Sequence, residues 1–345
     1  MRSLGLRLAR VILGLAVAQA GRADTALFLE EPFGEFGAMT PTGHSSIYLS
    51  RVCAASLVSL RRCQPGEQGV VISRYHRVGG YDWIAIPLIA YLYAVDRADQ
   101  IPHEVTREQV ASLRDDYRRR HLEELAPDDP DGAAPKGDWI QLVGAAYDRT
   151  IYAFEIETPK DRDDQLIAQL NARPNDERFN ILFRNCADFS RHVIDFYFPK
   201  AVHRNFTGDL GVMTPKQAAK NMVSYAKHHP ELRFSVFAIP QISGTEPRSK
   251  PVRGVLESFV KTKKYAFPLG ALVAVQPYLG GGLAYAWISG GHFNPRHIAS
   301  TREAAEPPDI LAKELEWNRS ISPVNAHNAF AVRLPAAPPE RHALR

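Results

Sequence analysis

The side chains best suited to chemistry in this chain are one isolated cysteine and a distant histidine. Cys53 and Cys63 lie close together, whereas Cys186 stands alone far along the chain. A thiolate attacks carbonyl carbons well when a neighbouring base accepts the thiol proton. His44 is the candidate base, because it opens the strand-like run HSSIYLS. The pair predicts thiol-dependent acyl chemistry.

The residues around Cys186 predict a strand followed by a helix. The run FNILF, residues 179–183, is strand-like. From Phe189 to Tyr197 apolar residues recur three and four apart, which predicts an amphipathic helix with Cys186 in its first turn. N–H groups at a helix start favour a thiolate and stabilise an oxyanion. A buried, inert cysteine is the alternative interpretation.

A third group would be needed to fix the ring of His44. His76 ends the next predicted strand, 69–78, and antiparallel pairing would place it on the same face as His44. Asp82 is the rival for this supporting role. The alternative for His44 is a surface or capping role, since the chain contains 12 histidines.

The N-terminus predicts export. Three arginines in MRSLGLRLAR precede the uncharged run VILGLAVAQA, and together they have the parts of a secretory signal peptide over residues 1–23. The apolar run is about half of the ~20 residues that a membrane-spanning helix needs. We therefore expect a periplasmic or extracellular protein. In such a compartment Cys53 and Cys63 are expected to form a disulfide that leaves Cys186 free.

The segment 267–290 has no charged residue in 24 positions, which is long enough to span a bilayer. Pro277 and the glycines at 280–282 interrupt it, so a buried hairpin or an apolar flap is the alternative. Membrane proximity through this segment is one expectation. The net charge of +4 comes with short basic clusters that lack interleaved aromatic residues, which argues against a nucleic-acid partner.

Metal and cofactor sites are not expected from the sequence. The three cysteines and the dispersed histidines lack the spacing of a zinc site. The glycines at 280–282 lack the lysine and the helix start of a phosphate-binding loop. The chemistry is therefore expected to rest on side chains alone.

The periodicity of the chain predicts an α+β fold with an antiparallel sheet packed against the helix that bears Cys186. The glycines and prolines after the signal predict an extended, looping entry over residues 24–43. The expected organisation is a domain over 24–230 with a helical and linker insertion at about 97–138, a C-terminal region over 231–300, and a poorly ordered Pro- and Ala-rich tail over 301–345.

Two motifs carry a family resemblance. The run Gly43–His44–Ser45–Ser46–Ile47–Tyr48–Leu49, followed by His76 and later by Asn185–Cys186–Ala187–Asp188–Phe189, resembles the circularly permuted papain-like superfamily. It is similar to the lecithin–retinol acyltransferase branch, in which a His-x-x-Ile-Tyr strand precedes a second His and an Asn-Cys-x-x-Phe helix. It also resembles exported bacterial domains of the NlpC-related clan, including periplasmic domains linked to lipoprotein acyl transfer. The resemblance covers roughly residues 40–225.

The resemblance implies a role for each matching residue. Cys186 is the expected nucleophile, His44 the general base and His76 the third member. Apart from the resemblance, Asn185 and Asp82 are the candidate oxyanion or supporting residues, from their positions in the chain. The 109 residues between His76 and Cys186 exceed what the acyltransferase branch has there.

The function expected from these residues is a thioester-forming hydrolase or acyltransferase. Its substrate would be an amide or a lipid ester of the cell envelope, so its partner is an envelope peptide or lipid. The alternative is an envelope binding module that keeps the fold and in which Cys186 is unreactive.

Overall fold

The computed structural model describes residues 25–34, 42–76, 78–176, 179–244, 247–261 and 293–300, together with scattered positions and short runs between 268 and 285. Ten strands lie in this part of the chain. They are β1 (Thr25–Glu30), β2 (His44–Leu49), β3 (Val52–Ser56), β4 (Ser59–Arg62), β5 (Val70–Ser73), β6 (Ile84–Pro87), β7 (Glu104–Val105), β8 (Ile151–Ile156), β9 (Phe234–Ile239) and β10 (Ser243–Gly244).

Helices connect and cover these strands. The described ones are α1 (Leu88–Tyr93), α2 (Arg107–His121), α3 (Ala145–Asp148), α4 (Lys160–Ala172), α5 (Cys186–Tyr197), α6 (Pro215–His228), α7 (Val255–Lys261) and α8 (Pro295–Ser300), with 3-10 turns at Ala98–Gln100 and Asp138–Leu142. Capping chemistry places two of the helix starts. Thr106 and Gln109 form a capping box before α2, and Thr214 caps α6 ahead of a proline at the first position.

A six-stranded antiparallel sheet forms the centre of the fold, in the order β6-β5-β2-β1-β8-β9. Because side chains alternate along a strand, β1 buries Ala26 and Phe28 on one face and Leu27 and Leu29 on the other. The first face packs with α1, α2 and α3, and the second with α4, α5 and α6. The expected α+β class, with helices packed on an antiparallel sheet, is confirmed.

The predicted extended, looping entry is extended over Thr25–Glu30, but these residues form strand β1 and not a loop. All six residues of TALFLE are buried, and the strand lies between β2 and β8 in the middle of the sheet. A strand covered on both faces has no polar alternation to identify it. The register pairs Glu30 with His44, so β1 also fixes where β2 begins.

The predicted strand before Cys186 is also wrong. Residues 179–184 form a turn closed by a bridge between Asn180 and Arg184. Ile181, Leu182 and Phe183 at its tip are 57%, 47% and 63% exposed. The apolar run therefore lies on the surface rather than in the sheet.

The C-terminal region takes part in the same fold. Its strand β9 pairs with β8 along six residues, so the sheet continues past the predicted boundary at residue 230. Arg296 at α8 is ion-paired with buried Glu31 at 2.8 Å. The predicted signal peptide 1–23 and the tail 301–345 lie outside the described residues, as does much of 267–290. No helix among the described residues is long and apolar enough to cross a membrane.

Cys53 and Cys63 are joined by a disulfide across the β3–β4 hairpin, which confirms the predicted pair. Replacement of both by alanine is expected to lower the free energy of unfolding by roughly 2–3 kcal/mol, because the bond restricts a short loop of the unfolded chain. Denaturant titration with and without reductant measures the effect. Wild-type stability that does not respond to complete reduction would contradict this expectation.

Candidate active site

Helix α5 begins at Cys186 because Asn185 caps it. The Asn185 Oδ1 accepts the Asp188 N–H at 3.0 Å, and the Asp188 carboxylate accepts the Asn185 N–H at 3.4 Å. This capping box satisfies two of the N–H groups that every helix start leaves unpaired. Among the described hydrogen bonds, the N–H groups of Cys186 and Ala187 remain available at the helix end where the dipole favours negative charge.

The start of strand β2 positions His44, the other partner in the contact with Cys186. The residue before it, Gly43, has a φ of +71°, and a Cβ there would lie 2.2 Å from the backbone oxygen of Glu30. Only glycine adopts this positive φ readily and also leaves room for the backbone oxygen of Glu30. The tight entry places His44 at the end of the sheet, opposite Glu30 in the β1–β2 register.

The structure brings Cys186 and His44 together, although 141 residues separate them in the chain. The thiol and the imidazole ring are hydrogen-bonded. Ser45 adds two more hydrogen bonds to the sulfur, one from its backbone N–H and one from its hydroxyl. The Ser45 hydroxyl in turn accepts from Ser190 of α5 at 3.1 Å. Three hydrogen-bond donors therefore converge on the sulfur of Cys186, which favours its thiolate form.

The charges of the pair support each other. Burial alone would raise the pKa of Cys186, but the His44 charge and the hydrogen bonds from His44 and Ser45 outweigh it and lower that pKa. Burial alone would lower the pKa of His44, but the negative charges of Cys186 and Glu30 outweigh it and raise that pKa. A thiolate–imidazolium pair is the form that this geometry stabilises.

Ser73 occupies the position that was expected for His76. Its hydroxyl lies 2.9 Å from the Nε2 of His44 and donates to the Ser45 carbonyl at 2.8 Å. The single proton of the Ser73 hydroxyl is used in the hydrogen bond to the Ser45 carbonyl, so the Ser73 oxygen accepts a hydrogen bond from the Nε2–H of His44. The other ring nitrogen, Nδ1, is then the one that bonds to the thiol of Cys186. Strand β5 ends at Ser73, and His76 lies beyond it, exposed and packed against Phe179 at 5.1 Å. The structure does not bring His76 to His44.

A buried polar cluster lies behind His44. Glu30 is fully buried, accepts from Ser46 at 2.9 Å and from the Tyr91 hydroxyl, and is ion-paired with Arg149 at 3.2 Å. The ring of Tyr75 stacks on the imidazole with a centroid distance of 5.1 Å. A buried carboxylate needs such partners, and its remaining negative charge favours the protonated ring of His44.

The two expected supporting residues hold the helix start. Both amide hydrogens of Asn185 are engaged, by the carbonyls of Ile181 at 3.0 Å and Met213 at 2.9 Å, so its side chain is placed to support the turn rather than to bind an oxyanion. Asp82 is ion-paired with Arg74 at 2.6 Å, and Arg74 reaches the Asn185 carbonyl at 3.4 Å. Asp82 thus acts on α5 through an arginine and not on His44.

Sequence reasoning missed four residues of this site: Ser45, Ser73, Glu30 and Arg149. For Ser45, the only indication in the sequence is that it directly follows the candidate base, His44. The other three reach the site through strand register and burial, which no local pattern reveals. Comparison with known proteins adds nothing to these assignments: no family model, curated protein or solved structure matches the chain.

The lowered pKa of Cys186 predicts an unusual pH dependence of alkylation. Because only the thiolate reacts, the rate with iodoacetamide should reach half its maximum below pH ~8.5, the ordinary value for a cysteine. Replacing His44 with alanine removes the counter-charge and should shift the profile to higher pH. The disulfide leaves Cys186 as the single free thiol, so peptide mass mapping reads this residue alone.

The matched control for this experiment is His192→Ala. His192 lies on the same helix, and its ring contacts Gln169 at 3.1 Å instead of the thiol. Its replacement should leave the profile unchanged. A wild-type rate that rises through an ordinary thiol pKa, or an unshifted profile in His44→Ala, would contradict the ion pair.

The contact between Ser73 and His44 predicts which residue orients the ring. Ser73→Ala should slow alkylation of Cys186 at neutral pH several-fold, because Nε2 loses its partner and the ring is no longer held toward the sulfur. His76→Ala should leave the rate unchanged, since that ring packs elsewhere. The reverse pattern, with His76→Ala slow and Ser73→Ala normal, would show that His76 is the third member after all.

Proposed function

We propose that this protein is an exported, cysteine-dependent hydrolase or acyltransferase that acts on an amide or a lipid ester of the cell envelope. The observation that carries the proposal is the contact of Cys186, at a capped helix start, with His44 and Ser45. A thiol that only filled the core would not need three hydrogen-bond donors. As a residue, Cys186 is half-buried and not fully enclosed at the start of α5.

The proposed reaction runs through a thioester. The Cys186 thiolate attacks the carbonyl carbon, and the carbonyl electron pair moves to the oxygen, where the N–H groups of Cys186 and Ala187 can stabilise the negative charge. As the intermediate collapses, the His44 imidazolium donates its proton to the leaving amine or alcohol. Water or an acceptor amine then attacks the thioester, His44 takes the acceptor proton, and the thiolate leaves.

The permuted papain-like arrangement is part of the same proposal. It is supported by a histidine on a central strand that precedes, in the chain, a cysteine on a helix packed against that strand. The proposal of an exported protein is supported by the signal-like N-terminus and by the Cys53–Cys63 disulfide, because such bonds persist in oxidising compartments.

The chemistry predicts a covalent acyl-enzyme on Cys186. Purified protein would be incubated with two panels, muropeptides and phospholipids, and intact mass would report the added acyl group. Cys186→Ala should remove both the adduct and product formation. His44→Ala should lower turnover by about 10²–10⁴-fold, the usual contribution of a general acid–base.

His76→Ala and His192→Ala serve as matched histidine controls and should keep turnover. With an isotope label in the acyl group of the substrate, release of the labelled acid identifies a hydrolase, and transfer of the labelled acyl group to an amine identifies an acyltransferase. If neither panel yields an adduct and Cys186 reacts with iodoacetamide no faster than an ordinary thiol, the enzyme proposal fails. The non-catalytic binding module then stands.

A further inference from the structure

Tyr75 covers one face of the His44 ring. The two rings are stacked, with their centroids 5.1 Å apart and their planes 23° from parallel. Tyr75 is buried, and its ring belongs to the apolar cluster on the side of the sheet that packs with α1, α2 and α3. A ring enclosed in a packed core has little room to turn. The imidazole of His44 therefore lies against a fixed plane.

The neighbours of His44 hold its ring in different directions. The Ser73 hydroxyl bonds to Nε2 at 2.9 Å and the Cys186 thiol bonds to the other ring nitrogen. Both bonds are made at ring nitrogens, so rotation about the line through these two atoms leaves them almost unchanged. A stacked aromatic ring opposes that rotation, because the tilted imidazole would lose its face contact. Tyr75 thus restrains a motion of the ring that the hydrogen bonds permit.

The face of a tyrosine ring also attracts a cation. Its quadrupole places negative charge on the face, and a cation within about 6 Å of the ring centroid is stabilised. The His44 ring lies inside this distance. Burial lowers the pKa of His44, the charges of Cys186 and Glu30 raise it, and the charge of Arg149 lowers it, with a raised pKa as the result. The tyrosine face adds to the groups that favour the imidazolium.

We propose that Tyr75 is a positioning residue of this site, whose ring fixes the tilt of the His44 imidazole and stabilises its protonated form. In the proposed reaction the role matters most in the acyl-enzyme, in which the sulfur of Cys186 carries no negative charge. The tyrosine face then stabilises the imidazolium that forms when His44 takes the proton of the acceptor. This consequence rests on the proposed function, whereas the effect of Tyr75 on His44 does not.

Titration of His44 without the thiolate tests the proposal. In full-length Cys186→Ala protein, NMR of labelled histidine would follow the ring, and the signal that is absent from His44→Ala assigns it. Adding Tyr75→Leu should lower the midpoint of His44 by about half a pH unit or more, because the imidazolium loses the aromatic face. Adding Tyr75→Phe should leave the midpoint unchanged, since the ring is kept.

Alkylation of the free thiol provides the second readout. With Cys186 present, Tyr75→Leu should slow the reaction with iodoacetamide at neutral pH several-fold and move its profile to higher pH, because a less stable imidazolium supports the thiolate less. Tyr75→Phe should keep the wild-type rate and profile. A residue that only fills the core would change stability without moving either midpoint.

The matched control is Tyr93→Leu. Tyr93 is buried in the same apolar cluster, and its ring contacts Tyr147 with a centroid distance of 6.4 Å. Its replacement should lower the unfolding temperature but leave the His44 midpoint and the alkylation profile unchanged. Thermal unfolding shows that each variant is folded under the conditions of the titration.

Three results would overturn the proposal. They are an unchanged His44 midpoint in folded Tyr75→Leu, an equal shift in Tyr75→Phe, which would assign the effect to the hydroxyl, and an equal shift in Tyr93→Leu, which would assign it to general loosening of the core. Failure of the proposed function is distinguishable from these. If no substrate panel yields an acyl adduct but the Tyr75→Leu shift appears, the enzyme proposal fails and the action of Tyr75 on His44 stands.

Discussion

The hydrogen bond between Cys186 and His44 is the interaction around which this part of the fold is arranged. It requires that the first residue of a helix and the first residue of a central strand lie side by side. The Asn185 cap fixes one partner, and Gly43, with its backbone against Glu30, fixes the other. The Ser190–Ser45 hydrogen bond joins the helix to the strand one turn further on. Ion pairs removed from water are costly unless further hydrogen bonds satisfy them, and Ser45 and Ser73 supply those bonds.

The contact between Cys186 and His44 also explains why charged side chains are buried next to the central sheet. Glu30 carries a carboxylate into a fully buried position at the end of β1. Arg149 and the hydroxyl groups of Tyr91 and Ser46 stabilise it. Placed behind His44, this carboxylate raises the pKa of the ring and so favours the imidazolium that the thiolate needs. The buried cluster around Glu30 and the contact between Cys186 and His44 therefore act on the same proton, the one that the His44 ring carries.

The sequence predicted some elements of the fold and of the site and missed others. Strand β2, helix α5 and the disulfide follow from local patterns, because periodicity, capping and cysteine spacing are local properties. The stretch TALFLE looked like a loop entry since a strand buried on both faces lacks alternation, and FNILF looked like a strand although it is an exposed turn. Local pattern does not separate an apolar run that is buried in the sheet from one that lies on the surface. Ser73 displaced His76 because β5 ends three residues before the histidine, a boundary that composition does not mark.

The central claim is that Cys186 is a thiolate held by His44. The most direct measurement is the far-ultraviolet absorbance of the thiolate, recorded against pH for the wild type and corrected with the spectrum of Cys186→Ala. The account predicts a midpoint below ~8.5, the ordinary cysteine value, and a midpoint moved upward in His44→Ala. A wild-type midpoint at or above the ordinary value, with no shift in His44→Ala, would contradict it.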